Sequence, residues 1–179
     1  VAEFAGSFSV SYDFVDHWRG TGQRFDRQWE DRFIRDEGYT RFIVEAIQGL
    51  TKECGIESSE LSSVVYPCLY AGDFKKIAQV LGLSESQWVA PLLGQVGYTG
   101  VADPLMHLVR ALEEAKPGDR IAVVGFGAGA DAVLFEVTEE IEKTRANRRG
   151  ISRHLATKRE LGSYEKMVAF RNILPTEKG

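Results

Sequence analysis

Thiols and imidazoles are scarce in this chain: two cysteines, Cys54 and Cys68, and three scattered histidines among 179 residues. Two unpaired cysteines make no disulfide framework and point to a reducing cytoplasm. With so few Cys and His, and none at ligand spacing, no metal site is expected. Long hydrophobic runs are also missing, which argues against a membrane-spanning helix, and the first residues lack a signal-peptide pattern. There is no starting Met. The chain opens directly in strand-like residues (Phe4, Phe8, Val10), as a piece cut from something longer would.

What remains is ordinary for a folded domain with one substantial core: 44% hydrophobic, 27% charged and net −4. The charge is uneven. From Arg145 to Gly179 there are nine Lys/Arg against three Glu, a net +6 that leaves −10 on the rest. This basic segment lacks the Gly and aromatic interleaving of a nucleic-acid tail and carries its own apolar helical stripe. A solvated or docking segment is therefore expected, with no nucleic acid as partner.

The most informative stretch is Lys116 to Glu140. A Pro117-Gly118-Asp119 turn leads into a β-branched strand over Ile121–Val124. The glycine hinge Gly125-Phe126-Gly127-Ala128-Gly129 follows, then a second apolar run from Ala132 to Val137. Gly125, Gly127 and Ala130 formally match the dinucleotide fingerprint G-x-G-x-x-A, which requires a helix directly after the turn. The β-branched and aromatic run that follows instead predicts a strand, hence an antiparallel pair joined by a glycine bend. A dinucleotide-binding domain stays as a rival reading that rests on that fingerprint alone.

Upstream, alternation predicts a strand over Ala2–Tyr12 and a loop from Asp13 to Phe25. A short helix around Trp29, Phe33 and Ile34 is expected to be interrupted at Gly38. An amphipathic helix then carries Phe42, Ile43, Ala46, Ile47 and Leu50, with Gly55 at its end. A short strand is expected at Val64-Val65-Tyr66. Asp73 is the expected cap of a helix bearing Phe74, Ile77, Ala78, Val80 and Leu81, closed by Gly82. Trp88-Val89-Ala90 reads as a short strand and Gly94–Gly100 as a flexible loop. A further helix has Val101, Leu105, Leu108, Val109 and Leu112 on one side. The order predicts an α/β fold, a mixed sheet covered by helices.

In combination, several of these segments resemble the C-terminal half of the thiolase superfamily. They are Leu81-Gly82-Leu83, the glycine loop, Leu108-x-x-Ala111-Leu112-Glu113-x-Ala115, Pro117-Gly118-Asp119-Arg120-Ile121 and Gly125-Phe126-Gly127-x-Gly129. The likeness is to the branch of hydroxymethylglutaryl-CoA synthase and ketoacyl-carrier-protein synthase III, and Asp16-His17-Trp18-Arg19 is similar to that branch's Asp-x-Trp-Arg loop. The resemblance implies a thiolase-like C-terminal lobe over 1–143 and a basic helical tail over 144–179. It implies Claisen-type acyl transfer on coenzyme A thioesters as substrates, with no bound cofactor. The nucleophilic cysteine would belong to a missing N-terminal half, and this chain alone would be inactive. Gly127, Ala128 and Gly129 would supply an oxyanion-binding amide, and Arg19 is a candidate for a CoA phosphate. A homodimer is the default, and Tyr164-Glu165-Lys166 with Phe170-Arg171 resembles relatives that work beside a zinc-ribbon/OB-fold acyl-CoA-associated protein docking on the tail.

Two departures matter. The family's histidine falls on Pro67, which moves no protons, and its loop Asn or His falls near Tyr98. Tyr98 and Cys68 are therefore the candidate substitutes, Tyr98 as hydrogen-bond donor and Cys68 as thiol. A loop aromatic and an inert buried thiol are the plainer readings of the same two residues. A non-catalytic thiolase-fold subunit that organises a complex is the alternative function.

Overall fold

The computed structural model describes residues 1–145 and 148–173; part of the expected tail, 146–147 and 174–179, lies outside them. Its centre is a four-stranded sheet in the order β1-β6-β5-β4. Here β1 is Ala2–Ser11, β4 Ser63–Val65, β5 Arg120–Gly127 and β6 Gly129–Val137. β6 runs antiparallel to both β1 and β5, while β4 is parallel to β5. The sheet is mixed, as expected, and β4 reaches β5 through a helical crossover.

Period-two alternation along β5 feeds both faces of the sheet. Ala122 and Val124 join one core with Ala132, Leu134 and the helix α2 (Thr40–Cys54). Ile121 and Val123 join the other with Ala111 and Ala115, at and just past the end of α5 (Asp103–Glu114). α2 presents Phe42, Ile43, Ala46, Ile47 and Leu50, the predicted stripe, all at most 2% exposed. Gly55 and Gly82 close their helices as anticipated.

Five local expectations are corrected. Gly38 does not break the chain's second element: a short α1 (Asp31–Phe33) runs through a π-helical stretch, Ile34–Tyr39, straight into α2. Glycine serves packing there, since a Cβ at 38 would lie 2.6 Å from the Phe14 ring. Asp73 is not the cap of α3 (Ala71–Val80). Tyr70 holds that position without a side-chain bond, and Asp73 in the first turn pairs with Arg35 at 3.4 Å. Trp88 makes only an isolated parallel bridge with Val64. The expected flexible loop contains a one-turn helix, α4 (Leu93–Val96). Asp13–Phe25, predicted as loop, also contributes β2 (His17–Trp18), which pairs antiparallel with β3 (Arg27–Gln28) into a small ribbon.

The largest surprise is α5. The residues it buries are Asp103, His107 and Ala111. Leu108 and Leu112 flank that core, but Val101 before the helix is 95% exposed, Leu105 61% and Val109 40%. Hydrophobic residues therefore run round two faces of this helix, and only one of them meets the sheet. Apolar character over most of a helix is the pattern of an element enclosed on both sides.

The tail packs through α7 (Ile151–Ala156) and α8 (Tyr164–Phe170), preceded by α6 (Glu140–Arg145). Glu113 on α5 accepts from the Ser152 N–H at 3.0 Å and from its hydroxyl, and Val168 is buried. No helix among the described residues is long and apolar enough to cross a membrane.

Two substitutions separate the inner and outer stripes. Ile47→Ala should cost about 2–5 kcal/mol, the range for truncating a buried aliphatic. Val109→Ala should stay within about 0.5 kcal/mol in this chain alone. Urea unfolding of both variants measures the difference, and equal losses would put Val109 in the core.

Candidate functional site

The glycine hinge is a tight hairpin. β5 ends at Gly127 and β6 starts at Gly129, so the two residues pair across a single connecting residue, Ala128. This is tighter than the five-residue bend expected from sequence, because the glycines themselves join the ladder. Two contacts from β1 and its continuation lock the turn. The Tyr12 N–H donates to the Ala128 carbonyl at 3.1 Å. Gly129 has φ +136, and a Cβ there would sit 2.0 Å from the Val10 carbonyl oxygen, so only glycine fits. Ala128 is exposed, and its N–H donates to no backbone carbonyl among the described residues. A strand follows the turn rather than a helix. The dinucleotide reading fails for that reason: no helix N-terminus stands where a pyrophosphate would lie.

The turn forms one wall of a cavity of about 750 Å³. Gly125 to Asp131 and the serines Ser9 and Ser11 line this side. Pro67, Leu69 and Tyr70, from the segment after β4, line another, together with Tyr98, Gly100, Val101 and Pro104 ahead of and at the start of α5. Asp16, His17, Asp26 and Gln28 come from the β2–β3 ribbon and its flanks.

Of the residues singled out from sequence, Gly127, Ala128, Gly129 and Tyr98 share this cavity. Tyr98 is half-exposed, and burial, then the negative charges of Asp103 and Asp16, raise the pKa of its phenol. It therefore stays a protonated donor at neutral pH. Cys68 is different: it is 1% exposed, belongs to the α2-side core and is not among the cavity-lining residues. Burial, then the Asp103 carboxylate, pushes its thiol pKa up, which disfavours the thiolate that nucleophilic chemistry needs. The buried inert thiol is what the structure shows. Arg19 donates from Nε and Nη2 to both oxygens of Asp26, at 2.6 and 3.1 Å, which holds the Asp26 carboxyl below its ordinary range.

Sequence reasoning passed over a buried polar knot. Asp103, 2% exposed, accepts from the Cys68 N–H at 3.3 Å and the Thr99 hydroxyl at 3.2 Å. His107, one helical turn on, directs Nδ1 to the Asp103 carbonyl at 2.8 Å, and its Nε2 accepts from the Leu92 N–H at 3.0 Å. Both ring nitrogens are thereby used, which fixes the proton on Nδ1. The knot ties the Pro67-Cys68 segment to the start of α5. Its signal in the sequence is the i, i+4 spacing of Asp103 and His107 on a helix otherwise rich in Leu and Val.

A mixed sheet enclosed by helices, with a glycine hairpin at the wall of a cavity, is the α/β fold of a thiolase-like C-terminal domain. The same fold occurs in solved structures of 3-oxoacyl-[acyl-carrier-protein] synthase III. Those from Aquifex aeolicus and Pseudomonas aeruginosa superpose with TM-scores of 0.66 and 0.67 at 17% identity, over 76% of this chain and 45% and 44% of theirs. The family model for the 3-oxoacyl-[acyl-carrier-protein (ACP)] synthase III C terminal matches residues 51–136.

Among curated proteins, the hydroxymethylglutaryl-CoA synthase of Methanopyrus kandleri is 37% identical over 149 residues, 81% of this chain and 42% of that protein. That of Picrophilus torridus is 28% identical over 178 residues, 97% of this chain and half of its own length. These matches support a C-terminal half of the thiolase superfamily, of the hydroxymethylglutaryl-CoA synthase and ketoacyl-carrier-protein synthase III-like kind. It spans about half or less of the length of those relatives.

Two measurements check this geometry. Gly129→Ala should unfold at clearly lower denaturant, by about 1–3 kcal/mol or more, since strained backbone and a backbone clash combine. Cys68 should stay unlabelled by a thiol reagent in the native protein and react once denaturant is added; fast native labelling would return it to the candidate site.

Proposed function

We propose that this chain is the C-terminal half of an acyltransferase that makes or breaks carbon–carbon bonds on acyl-CoA thioesters by Claisen-type chemistry, hydroxymethylglutaryl-CoA synthase-like. The observation that carries the reading is the exposed Ala128 amide in a hairpin turn at the cavity wall. A thioester oxygen gaining negative charge needs a rigid N–H at hydrogen-bond distance, and a turn stripped of side chains lets it approach. Tyr98 stands across the same cavity as a second donor. Arg19, with Nη1 free of the Asp26 pair, is suited to a CoA phosphate.

The nucleophile is assigned to an N-terminal half outside this chain, which is why the isolated chain is expected to be inactive. The outward stripe of α5, Val101, Leu105 and Val109, is where that half would pack, since it is the large apolar surface next to the cavity. The basic tail is the proposed contact for an acyl-CoA-associated partner, and a two-fold homodimer in the cytoplasm is the working assembly.

Pro67 favours a second reading, a non-catalytic thiolase-fold subunit that organises a complex. The two readings part on turnover. The assembled two-half protein should condense or cleave acyl-CoA while the 179-residue chain alone does not. Binding of acyl-CoA with no turnover in the assembly selects the scaffold, and turnover by the chain alone defeats the proposed division of labour. Leu105→Asp with Val109→Asp should abolish copurification of the two halves while leaving the melting point of this chain within a few degrees.

A further inference from the structure

The position after β4 that would hold a proton-transferring histidine is Pro67, yet the cavity contains another imidazole. We propose that His17, oriented by Asp16, is the base that removes a proton from the carbon next to the thioester carbonyl; this rests on the acyl-CoA reading above. Both residues line the cavity on the ribbon side, with the Gly125–Asp131 hairpin lining another. His17 Nδ1 lies 2.6 Å from Asp16 Oδ1. An ionised carboxylate only accepts, so Nδ1 carries the proton and the lone pair is left on Nε2. The imidazole is 62% exposed and has room to meet a ligand, while the Asp16 side chain is 19% exposed.

The dyad is held in place by ordinary packing. The Asp16 carbonyl accepts from the Trp29 N–H at 3.1 Å, and His17 pairs with Gln28 across the ribbon. Trp18 packs on Trp29 with centroids 5.5 Å apart, Trp29 meets Phe33 at 6.2 Å, and Phe33 stacks on Phe14 at 5.6 Å. This aromatic run anchors the ribbon to the α1–α2 helix.

The remaining groups of the cavity do not compete. Tyr70 and Tyr98 both have phenols with raised pKa values, which makes them donors at neutral pH. Asp26 is engaged by Arg19. Asp131 is a carboxylate, a weaker base than imidazole. His107 is 1% exposed with both nitrogens bonded, so it exchanges nothing with the cavity.

In the step itself, Nε2 takes the proton from the α-carbon. The C–H electron pair becomes the carbon–carbon double bond of the enolate, and the carbonyl π pair moves to oxygen, where the hairpin amide stabilises it. The imidazolium is balanced by Asp16. Either that proton returns to the carbon, or the enolate carbon bonds to the carbonyl carbon of an acyl thioester held by the other half, whose carbon–sulfur bond breaks, and the departing thiolate takes the imidazolium proton.

The test is hydrogen–deuterium exchange at the acetyl methyl of acetyl-CoA in D2O, followed by proton NMR on the assembled protein, with acetyl-CoA affinity measured in parallel by calorimetry. His17→Ala should lower exchange by about 100-fold or more, the usual worth of a general base, with affinity changed less than about threefold, well below what losing a binding contact would cost. Added imidazole should restore part of the exchange in His17→Gly. Asp16→Asn should lower the rate and Asp16→Glu should recover it, which a merely structural aspartate would not do. Lys75→Ala, exposed on α3, serves as the unaffected control. Exchange in His17→Ala at the wild-type rate overturns the assignment, as does wild-type protein that binds acetyl-CoA without exchanging it. Absence of any acyl-CoA binding removes the acyl-CoA reading and this assignment with it.

Discussion

The interaction on which the rest of the structure depends is the lock between β1 and the β5–β6 turn. The Val10 carbonyl occupies the space where any side chain at 129 would stand, and Tyr12 holds the Ala128 carbonyl. The carbonyl of the turn is engaged on one side, while Ala128 itself lines the cavity and its N–H donates to no backbone carbonyl among the described residues. Remove β1, and the same glycines become a floppy bend with no fixed donor. The first strand of the chain thus sets the geometry of a loop more than a hundred residues later.

The second constraint is the Asp103 knot. A buried carboxylate is costly unless its oxygens are satisfied. Here the Thr99 hydroxyl and the Cys68 amide share that task. Because the donors come from two separate segments, satisfying Asp103 also fixes where Pro67 and Tyr98 stand relative to each other. Two walls of the cavity are joined by one group that never meets a ligand. The outward stripe of α5 begins beside this knot, so the exposed Leu105 and Val109 and the cavity wall at Pro104 ride on one helix.

Much of the fold was legible from residue pattern. β5 alternates because each face meets a different helix layer, α2 carries an uninterrupted stripe, and the β-branched run after the hinge could only be strand. The misreadings share a cause. Gly38 reads locally as a breaker, and only the Phe14 ring pressed against it shows why a helix tolerates it. The apolar side of α5 reads as core, but the buried side is Asp103, His107 and Ala111, because a helix that is hydrophobic on two faces does not say which one meets its own sheet. Cys68 reads locally as a candidate thiol, and only the packing of the α2-side core shows its side chain buried.

Composition, periodicity and motif order by themselves determined the α/β class, the glycine hairpin and the family resemblance. Those are properties of neighbouring residues, and the chain carries them wherever it folds. Only the tertiary structure decided that the Ala128 turn lines a cavity, that Asp103 and His107 tie two of its walling segments together, and that the Asp16–His17 pair lines the same space. Each of these depends on segments far apart in sequence meeting in three dimensions, and on which polar atoms are left unsatisfied once they have met.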